Sequence, residues 1–438
     1  MERPVGVPQR NRDGINMSRV VVLGLGYIGL PTAATLALHG WEVHGVDVRA
    51  ELVESLKQGN VPVRERDLSA IVRDALGGGD LQVSTKPENG DYFVLCVPTP
   101  LKDRQADLSY LRKASATVAG VLRRGNTVIV ESTVPPGTTT QIVRPILEKS
   151  GLAAGKDFHL AYCPERVMPG SILREIVEND RIIGGFDPES AEEAASIYRS
   201  FVRGKLFLTD ATTAEFVKLV ENAYRDVNVA FANEIAKLAE VHGVDVWEVI
   251  SLANHHPRVR VLQPGPGVGG HCIAVDPWFL LTQDVKGSLI PAARAVNDGQ
   301  PKQVVQRTLE IVHGISRPKV AAFGVAYKGE ADDIRESPAI EIIERLEGHG
   351  ITVAAYDPLV PNDRYPTQSL EETIGDADCI LILASHREFH YMDASPLSKR
   401  VRHRLLFDTK NCVDHRKWTR AGFTVHVLGR AAPIAPPG

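Results

Sequence analysis

The sequence predicts an α/β protein with two doubly wound sheet domains joined by a long central helix in an all-α domain. Three observations predict it. Short β-branched runs followed by turns recur from Arg19 to Cys163 and again from Lys319 to Asn411, the rhythm of parallel strands with crossover helices. Between them, Asp210 to about Val241 carries apolar residues at helical spacing. And 438 residues are too many for one ordinary core.

The first strand, from Arg19, runs into Gly24-Leu-Gly26-Tyr27-Ile28-Gly29, and a helix opens after it. The second strand, Glu42-Val-His-Gly-Val, ends on Asp47. GxGxxG between a β-branched strand and a helix, with an acid ending the next strand, is a dinucleotide fingerprint and makes this a Rossmann-like domain. The glycines let a pyrophosphate approach the helix N-terminus. Asp47 is placed to accept from the adenosine ribose hydroxyls, and an acid there disfavours a 2′-phosphate, so NAD is the expected coenzyme. Strands ending at Val97, Glu131 and Cys163 run into Thr99, Thr133 and Glu165. Each residue alone fits a cap or turn; all three stand where ligands lie in such sheets.

The central helix has Thr209 or Asp210 as its cap and Gly243 as its stop. Phe216, Leu219, Ala223, Val227, Ala230, Ile235 and Leu238 form its apolar stripe, and Lys218, Asn222 and Arg225 line one edge at i, i+4 and i+7. Such polar residues are usually inert on a solvated face; the apolar sequence around Asn222 and Arg225 makes a buried polar site the expectation. His255-His256-Pro257-Arg258 follows. Adjacent histidines do not share a face, which argues against a metal; an anion-binding strip fits better.

Next comes Gly265-Pro-Gly267-Val-Gly269-Gly270-His271-Cys272, with Asp276 four residues on. A side-chain-poor loop leading into a thiol either presents a nucleophile to a bulky ligand or precedes a buried structural cysteine. A helix starting near Cys272 would put Asp276 on its face and lower the thiol pKa. The last third repeats the α/β pattern without GxGxxG, with Lys328 and Lys410 at strand ends, which suits a phosphate-bearing ligand other than NAD.

Composition narrows the classes. A net charge of −4 argues against a nucleic-acid backbone binder. Five dispersed cysteines without a CxxC pair fit a reducing cytoplasm. No apolar run reaches the length of a membrane span.

The motifs GLGYIGLP, CVPTP, EST, CPE, KLVENAYRDVN, GPGVGGHC and FGVAYK…DDIRESP occur in that order. Together they resemble the UDP-glucose/GDP-mannose dehydrogenase family from Met17 to about Leu428. Within it, YCPERVMPG, ENAYRDVNVAFANE and HPRV…LQPGPGVGGHCIAVDPWF are most similar to the branch acting on UDP-N-acetyl-D-mannosamine, with UDP-N-acetyl-D-glucosamine or another UDP-hexose as the alternative substrate. The resemblance implies oxidation of a nucleotide-sugar C6 alcohol to a carboxylate with two NAD and one water, for surface polysaccharide synthesis. It implies Cys272 as nucleophile, Lys218 and Asn222 stabilising an oxyanion or holding a water, Asp276 aiding proton transfer and Glu165 as the base for water. Gly24, Gly26, Tyr27, Ile28, Gly29, Asp47, Thr99, Thr133 and Arg335 would hold NAD. Arg166, Val167, Lys218, Asn222, Arg225, Gly269, Tyr327 and Lys328 would hold the UDP-N-acetyl-hexosamine, with His256 and Arg258 reaching it from the other subunit of a homodimer. The expected division is a disordered leader over 1–17, an NAD-binding domain over 18–205, a central helical dimerisation and catalytic domain over 206–300, a UDP-sugar-binding domain over 315–430 and a frayed tail over 431–438. A non-catalytic nucleotide-sugar sensor is the reading from another class; retention of Cys272, Lys218, Asn222 and Asp276 argues against it.

Overall fold

Strand β1 (Arg19–Leu23) is the axis of the first sheet, because its four valine and leucine side chains after Arg19 are buried on both faces. The computed structural model describes residues 18–436 apart from 64, 66, 169 and 282–286, so the leader expected over 1–17 lies outside the described residues. Beside β1 stand β2 (Glu42–Val46), β3 (Leu81–Ser84) and β4 (Tyr92–Leu95). A small hairpin, β5 (Leu101–Lys102) and β6 (Gln105–Ala106), stands apart as its own antiparallel pair. Then come β7 (Thr127–Val130), β8 (His159–Tyr162), β9 (Arg181–Gly185) and β10 (Leu206–Asp210). The eight-stranded order is β10-β9-β8-β7-β4-β1-β2-β3. Strands β1 to β8 in this sheet run parallel, as expected; β9 pairs antiparallel with β8, and β10 follows β9 in parallel. Successive residues of β1 and β4 face opposite apolar cores: Val20, Val22 and Val94 on one side, Val21, Leu23, Phe93 and Leu95 on the other. Burial on both faces is why these strands read as continuous apolar runs.

The second sheet holds β11 (Lys319–Phe323), β12 (Thr352–Tyr356), β13 (Cys379–Ile382), β14 (Leu405–Asp408) and β15 (Thr424–Val427) in the order β12-β11-β13-β14-β15, all parallel. It repeats a detail of the first. Gly24 and Gly324 both take positive φ after the first strand and donate to the last residue of the neighbouring strand, Val46 and Tyr356. An acid follows each of these, Asp47 and Asp357. Asp357 accepts from the amides of Val325, Ala326, Leu359 and Val360 and from the buried His386 ring.

The chain packs as two units, one reaching Glu221 and including Trp278–Leu280, the other made of Asn222–Pro277 and the described residues from Leu281 on. The helices used below are α1 (Gly29–Leu38), α2 (Ala211–His242), α3 (Val246–Ala253), α4 (Asp276–Phe279) and α5 (Leu289–Ile311). The 32 residues of α2 span about 48 Å at 1.5 Å per residue. Asp210 caps it, accepting from the Thr213 amide at 2.9 Å, and Gly243 ends it at positive φ. The expected stripe is only partly inward. Leu219, Ala223 and Ala230 are buried, but Phe216 and Leu238 are each 49% exposed. The inward face is instead lined by Ala232, Ala236 and Ala239 with polar Asn222, Asp226 and Asn233, and the outward stripe of Phe216, Val220, Tyr224, Phe231, Leu238 and Val241 is apolar. The tail expected to fray from Ala431 is instead tied down to Ile434, which exchanges two backbone hydrogen bonds with Val425; residues 437 and 438 lie outside the described residues. Among the described residues no helix is long and apolar enough to cross a membrane.

Candidate functional site

The first unit holds the glycine turn. A Cβ on Gly24 would run into the Cys96 carbonyl, and one on Gly29 into the Gly24 carbonyl, so these two glycines let α1 close onto β1. A Cβ on Gly26 would meet nothing within 4 Å. The turn therefore keeps an open side where a pyrophosphate fits, with Tyr27 and Ile28 leading into α1. Asp47 lies at the end of β2, only 6% exposed. It takes the Leu25 amide on Oδ2 and, on both oxygens, the Arg49 guanidinium. Burial alone would raise its carboxyl, but the hydrogen bonds from Arg49 and the two backbone amides outweigh that and hold it below the usual range. Thr99 donates its hydroxyl to the Thr133 carbonyl at 2.7 Å, tying together the loops after β4 and β7.

Glu165, after β8, is also buried. Its Oε1 accepts from the Arg166 amide at 2.6 Å and its Oε2 from the Arg181 guanidinium at 2.8 Å. Arg181 is enclosed between Glu165 and a second buried acid, Glu131, and lies over the Tyr198 ring. Burial, reinforced by the Glu165 charge, raises the Glu131 carboxyl despite Arg181, and the Tyr198 hydroxyl and Cys96 thiol donate to it. Arg166 is forked onto Glu221 of α2, and Val167 packs against the first core. Lys218 is 9% exposed on α2.

The second unit holds the thiol. Cys272 is partly exposed, and its carbonyl accepts from the amides of Val275 and Asp276, one helical turn ahead of α4. The helix expected near the cysteine thus opens at Asp276. Asp276 and Asn222 are buried, at 3% and 0% exposure. Asn222 donates its amide to Asp276 Oδ2 at 2.5 Å and accepts from Arg225. The side chain of Asn233, three turns along α2, accepts from the Gly265 amide and donates to Asn297 of α5. One helix therefore grips the glycine loop at its start and the acid beyond the thiol.

The loop glycines make room for the chain itself. A Cβ on Gly269 would collide with the Glu336 carbonyl, and one on Gly270 would lie 2.8 Å from the Tyr327 ring. The Lys410 ammonium approaches Gly265; burial lowers its pKa against the pull of Cys412 and Asp408. Arg335 is forked onto Asp333, whose Oδ2 lies 4.0 Å from His271 Nδ1. Lys328 is partly buried beside Tyr327. His256 and Arg258 are exposed on the turn after α3, outside the Arg225–Asn222–Asp276 chain of hydrogen bonds.

Family models match the chain in three segments: an NAD-binding domain over residues 18–202, a central domain over 212–299 and a UDP-binding domain over 321–415, all of UDP-glucose/GDP-mannose dehydrogenases. The chain belongs to the UDP-glucose/GDP-mannose dehydrogenase family. It is similar to the UDP-N-acetyl-D-mannosamine dehydrogenase of Methanocaldococcus jannaschii, 48% identical over 95% of this chain and 98% of that protein. It is 45% identical to an NDP-N-acetyl-D-galactosaminuronic acid dehydrogenase of Ralstonia nicotianae, over 88% of this chain and 95% of that one. The solved structure of a UDP-D-ManNAc dehydrogenase from Pyrococcus horikoshii superposes with a TM-score of 0.89 at 42% identity, covering 94% of this chain and 99% of that chain.

For an NAD-dependent dehydrogenase of this family the open side at Gly26 and the acid at Asp47 fit the coenzyme. Sequence reasoning missed Glu215. It sits fully buried on α2, one turn before Lys218, and accepts from the Gly137 amide and from the Thr139 amide and hydroxyl of the loop that carries Thr133. Burial pushes its carboxyl up to about 7 against those hydrogen bonds. Asn233, Arg181 and Glu131 were missed too: Arg181 closes the polar run Glu178-Asn179-Asp180, Asn233 stands beside Glu234 and Glu131 opens the polar turn Ser132-Thr133, so nothing local sets any of them apart.

Proposed function

We propose that this dehydrogenase oxidises UDP-N-acetyl-D-mannosamine at C6 to the uronate through a covalent adduct on Cys272, supplying a sugar acid for surface polysaccharide. The observation that carries the reading is Cys272 one helical turn before Asp276, whose buried carboxylate is held by Asn222. The names of the relatives supply the sugar. In balance, the primary alcohol, two NAD⁺ and one water give the carboxylate, two NADH and three protons. NAD, when bound, supplies the hydride acceptor for both oxidations. The first oxidation leaves an aldehyde, which has no tetrahedral carbon from which a hydride can leave. The Cys272 thiolate adds to C6 and restores one, and the second oxidation leaves a thioester on Sγ. Lys218 and Asn222 stabilise the oxygen as it gains charge, and Asp276 assists proton transfer at the thiol. Glu165 takes a proton from the water that cleaves the thioester; both its oxygens carry a donor in the structure, which orients the carboxylate.

In this proposal 18–205 binds NAD through Thr99 and Thr133, with Arg335 of 315–430 as a further contact, 206–300 serves catalysis and dimerisation, and 315–430 holds the UDP-sugar. Arg166, Val167, Arg225, Gly269, Tyr327 and Lys328 are assigned to the substrate. The outward apolar stripe of α2 supports a homodimer, since single soluble domains seldom leave such a row uncovered. In that dimer His256 and Arg258 serve the partner's substrate. The five cysteines are free thiols, in keeping with a cytoplasmic enzyme.

The test is the NADH yield of the purified enzyme with UDP-N-acetylmannosamine, -glucosamine, -galactosamine and UDP-glucose. Two NADH per UDP-N-acetylmannosamine and none from the others is the expected result. Turnover confined to the galactosamine nucleotide would transfer the assignment to the chemistry named for the Ralstonia relative. One NADH per sugar would remove the thioester step.

A further inference from the structure

The Asp47 carboxylate has no acceptor direction to spare. Oδ1 receives the Arg49 amide and Arg49 Nε, each at 3.0 Å; Oδ2 receives the Leu25 amide and an Arg49 terminal nitrogen, again at 3.0 Å. A carboxylate offers about four lone-pair sites, and all four are filled. A ribose that hydrogen-bonds to Asp47 must therefore displace a donor. The two backbone amides are fixed by the glycine turn and by the chain entering the next helix. The Arg49 side chain can leave: it is 60% exposed, and its carboxylate partner is only 6% exposed.

We propose that Arg49 is a specificity-determining residue of the coenzyme site, a built-in competitor for Asp47 whose release would create a receptor for a 2′-phosphate. With Asp47 present, the 2′- and 3′-hydroxyls of NAD replace the two guanidinium donors and Arg49 swings into water. NADP cannot make that exchange. Its 2′-phosphate has no proton to donate to Asp47 and is repelled by it, and the guanidinium that would neutralise the phosphate is already engaged. The refusal of NADP thus has two sources in this chain, repulsion by the acid and sequestration of the base. The second is not implied by an acid at the strand end alone.

Direct binding separates the two. NADH and NADPH are titrated by their own fluorescence into the full-length wild type, Arg49→Ala, Asp47→Ser and the double variant, with no sugar nucleotide present. Arg49→Ala should bind NADH a few-fold more tightly, because the competitor is gone, and should still refuse NADPH. Asp47→Ser frees Arg49 and should tighten NADPH about tenfold or more, the scale of one charge-assisted contact. The double variant should lose that gain. Circular dichroism and melting of each variant show whether it is folded. Arg49→Ala does not alter the buried acid, so its arm remains interpretable if Asp47→Ser fails to fold. The proposal is overturned if Arg49→Ala leaves NADH affinity unchanged or weakens it, or if the double variant binds NADPH as tightly as Asp47→Ser.

Discussion

Removing Phe231 tests whether the outward stripe of α2 joins two copies in the proposed homodimer. Its side chain is 53% exposed in the single chain. A phenylalanine buries about 150–250 Å² when fully covered, so about 100 Å² is left for a partner. At about 25 cal/mol per Å², and leaving out the Cβ that alanine keeps, this is about 2 kcal/mol per copy. A two-fold interface uses the same residue twice, so Phe231→Ala should weaken the dimer by about 4 kcal/mol, or about a thousandfold in Kd. Its own chain covers the rest of the side chain, so some loss of monomer stability is expected as well, and thermal melting reads it apart from dissociation. Sedimentation across nanomolar to micromolar protein reads the dissociation directly. Specific activity measured over the same range should fall as the variant dissociates if the active site needs its partner. A variant that sediments as the wild-type dimer throughout would refute the assignment of this stripe. A monomer with full activity would leave the interface standing and refute the shared site.

Other expectations follow from single residues. Cys272→Ser should abolish steady-state NADH formation and retain substrate binding by calorimetry, since a serine hydroxyl has almost no anion at neutral pH; turnover near the wild-type rate would exclude the covalent route. Arg258→Ala should raise KM about tenfold or more. When it is mixed with Cys272→Ser and subunits exchange, activity at low substrate should exceed that of either parent, because one heterodimer site is then intact; no recovery after confirmed exchange would place Arg258 in its own chain's site. Glu215 has a folded pKa of about 7 against about 4.3 in an unfolded chain. The folded state holds the extra proton, so its contribution is present below about pH 4.3 and is lost as pH rises through 7, by about 4 kcal/mol in all. Wild-type Tm should carry this fall between pH 5 and 8 and Glu215→Gln should not; parallel profiles would show that the carboxyl does not titrate in that window.

How much was legible depends on how local each signal is. The turn from Gly24 to Gly29, the acid at Asp47 and the caps of α2 are written in consecutive residues, so they could be read directly. Strands β9 and β10 could not. Arg181-Ile-Ile-Gly-Gly ends in two glycines that resemble a turn, whereas a Cβ on Gly184 would lie 2.7 Å from Ala214 of α2, a contact visible only after folding. The sequence leaves open whether the glycines before Cys272 admit a ligand or precede a buried thiol; the close approach of Tyr327 and Glu336 to Gly269 and Gly270 comes from residues distant in sequence, which no local pattern shows. Helical spacing singles out Asn222, and its distance from Cys272 singles out Asp276, but their hydrogen bond spans 54 positions and no local pattern announces it. Helical periodicity placed Phe216 and Leu238 on α2 without revealing that they face outward, because spacing fixes a face and not what covers it.

The two acids that end β2 and β12 show how one layout can be put to opposite uses. Asp47 shares its carboxylate with a side chain that is free to depart. Asp357 holds four backbone amides, two from the turn after β11 and two from its own loop, with His386 closing the remaining approach. None of those amides can leave without unravelling a turn. The first has a partner that can be exchanged and the second is a rivet, its carboxylate wholly committed to holding its loop. Damage should differ accordingly: a change at Asp47 alters which coenzyme binds, while the same change at Asp357 loosens the turn that carries Tyr327 and, through it, the footing of the thiol loop.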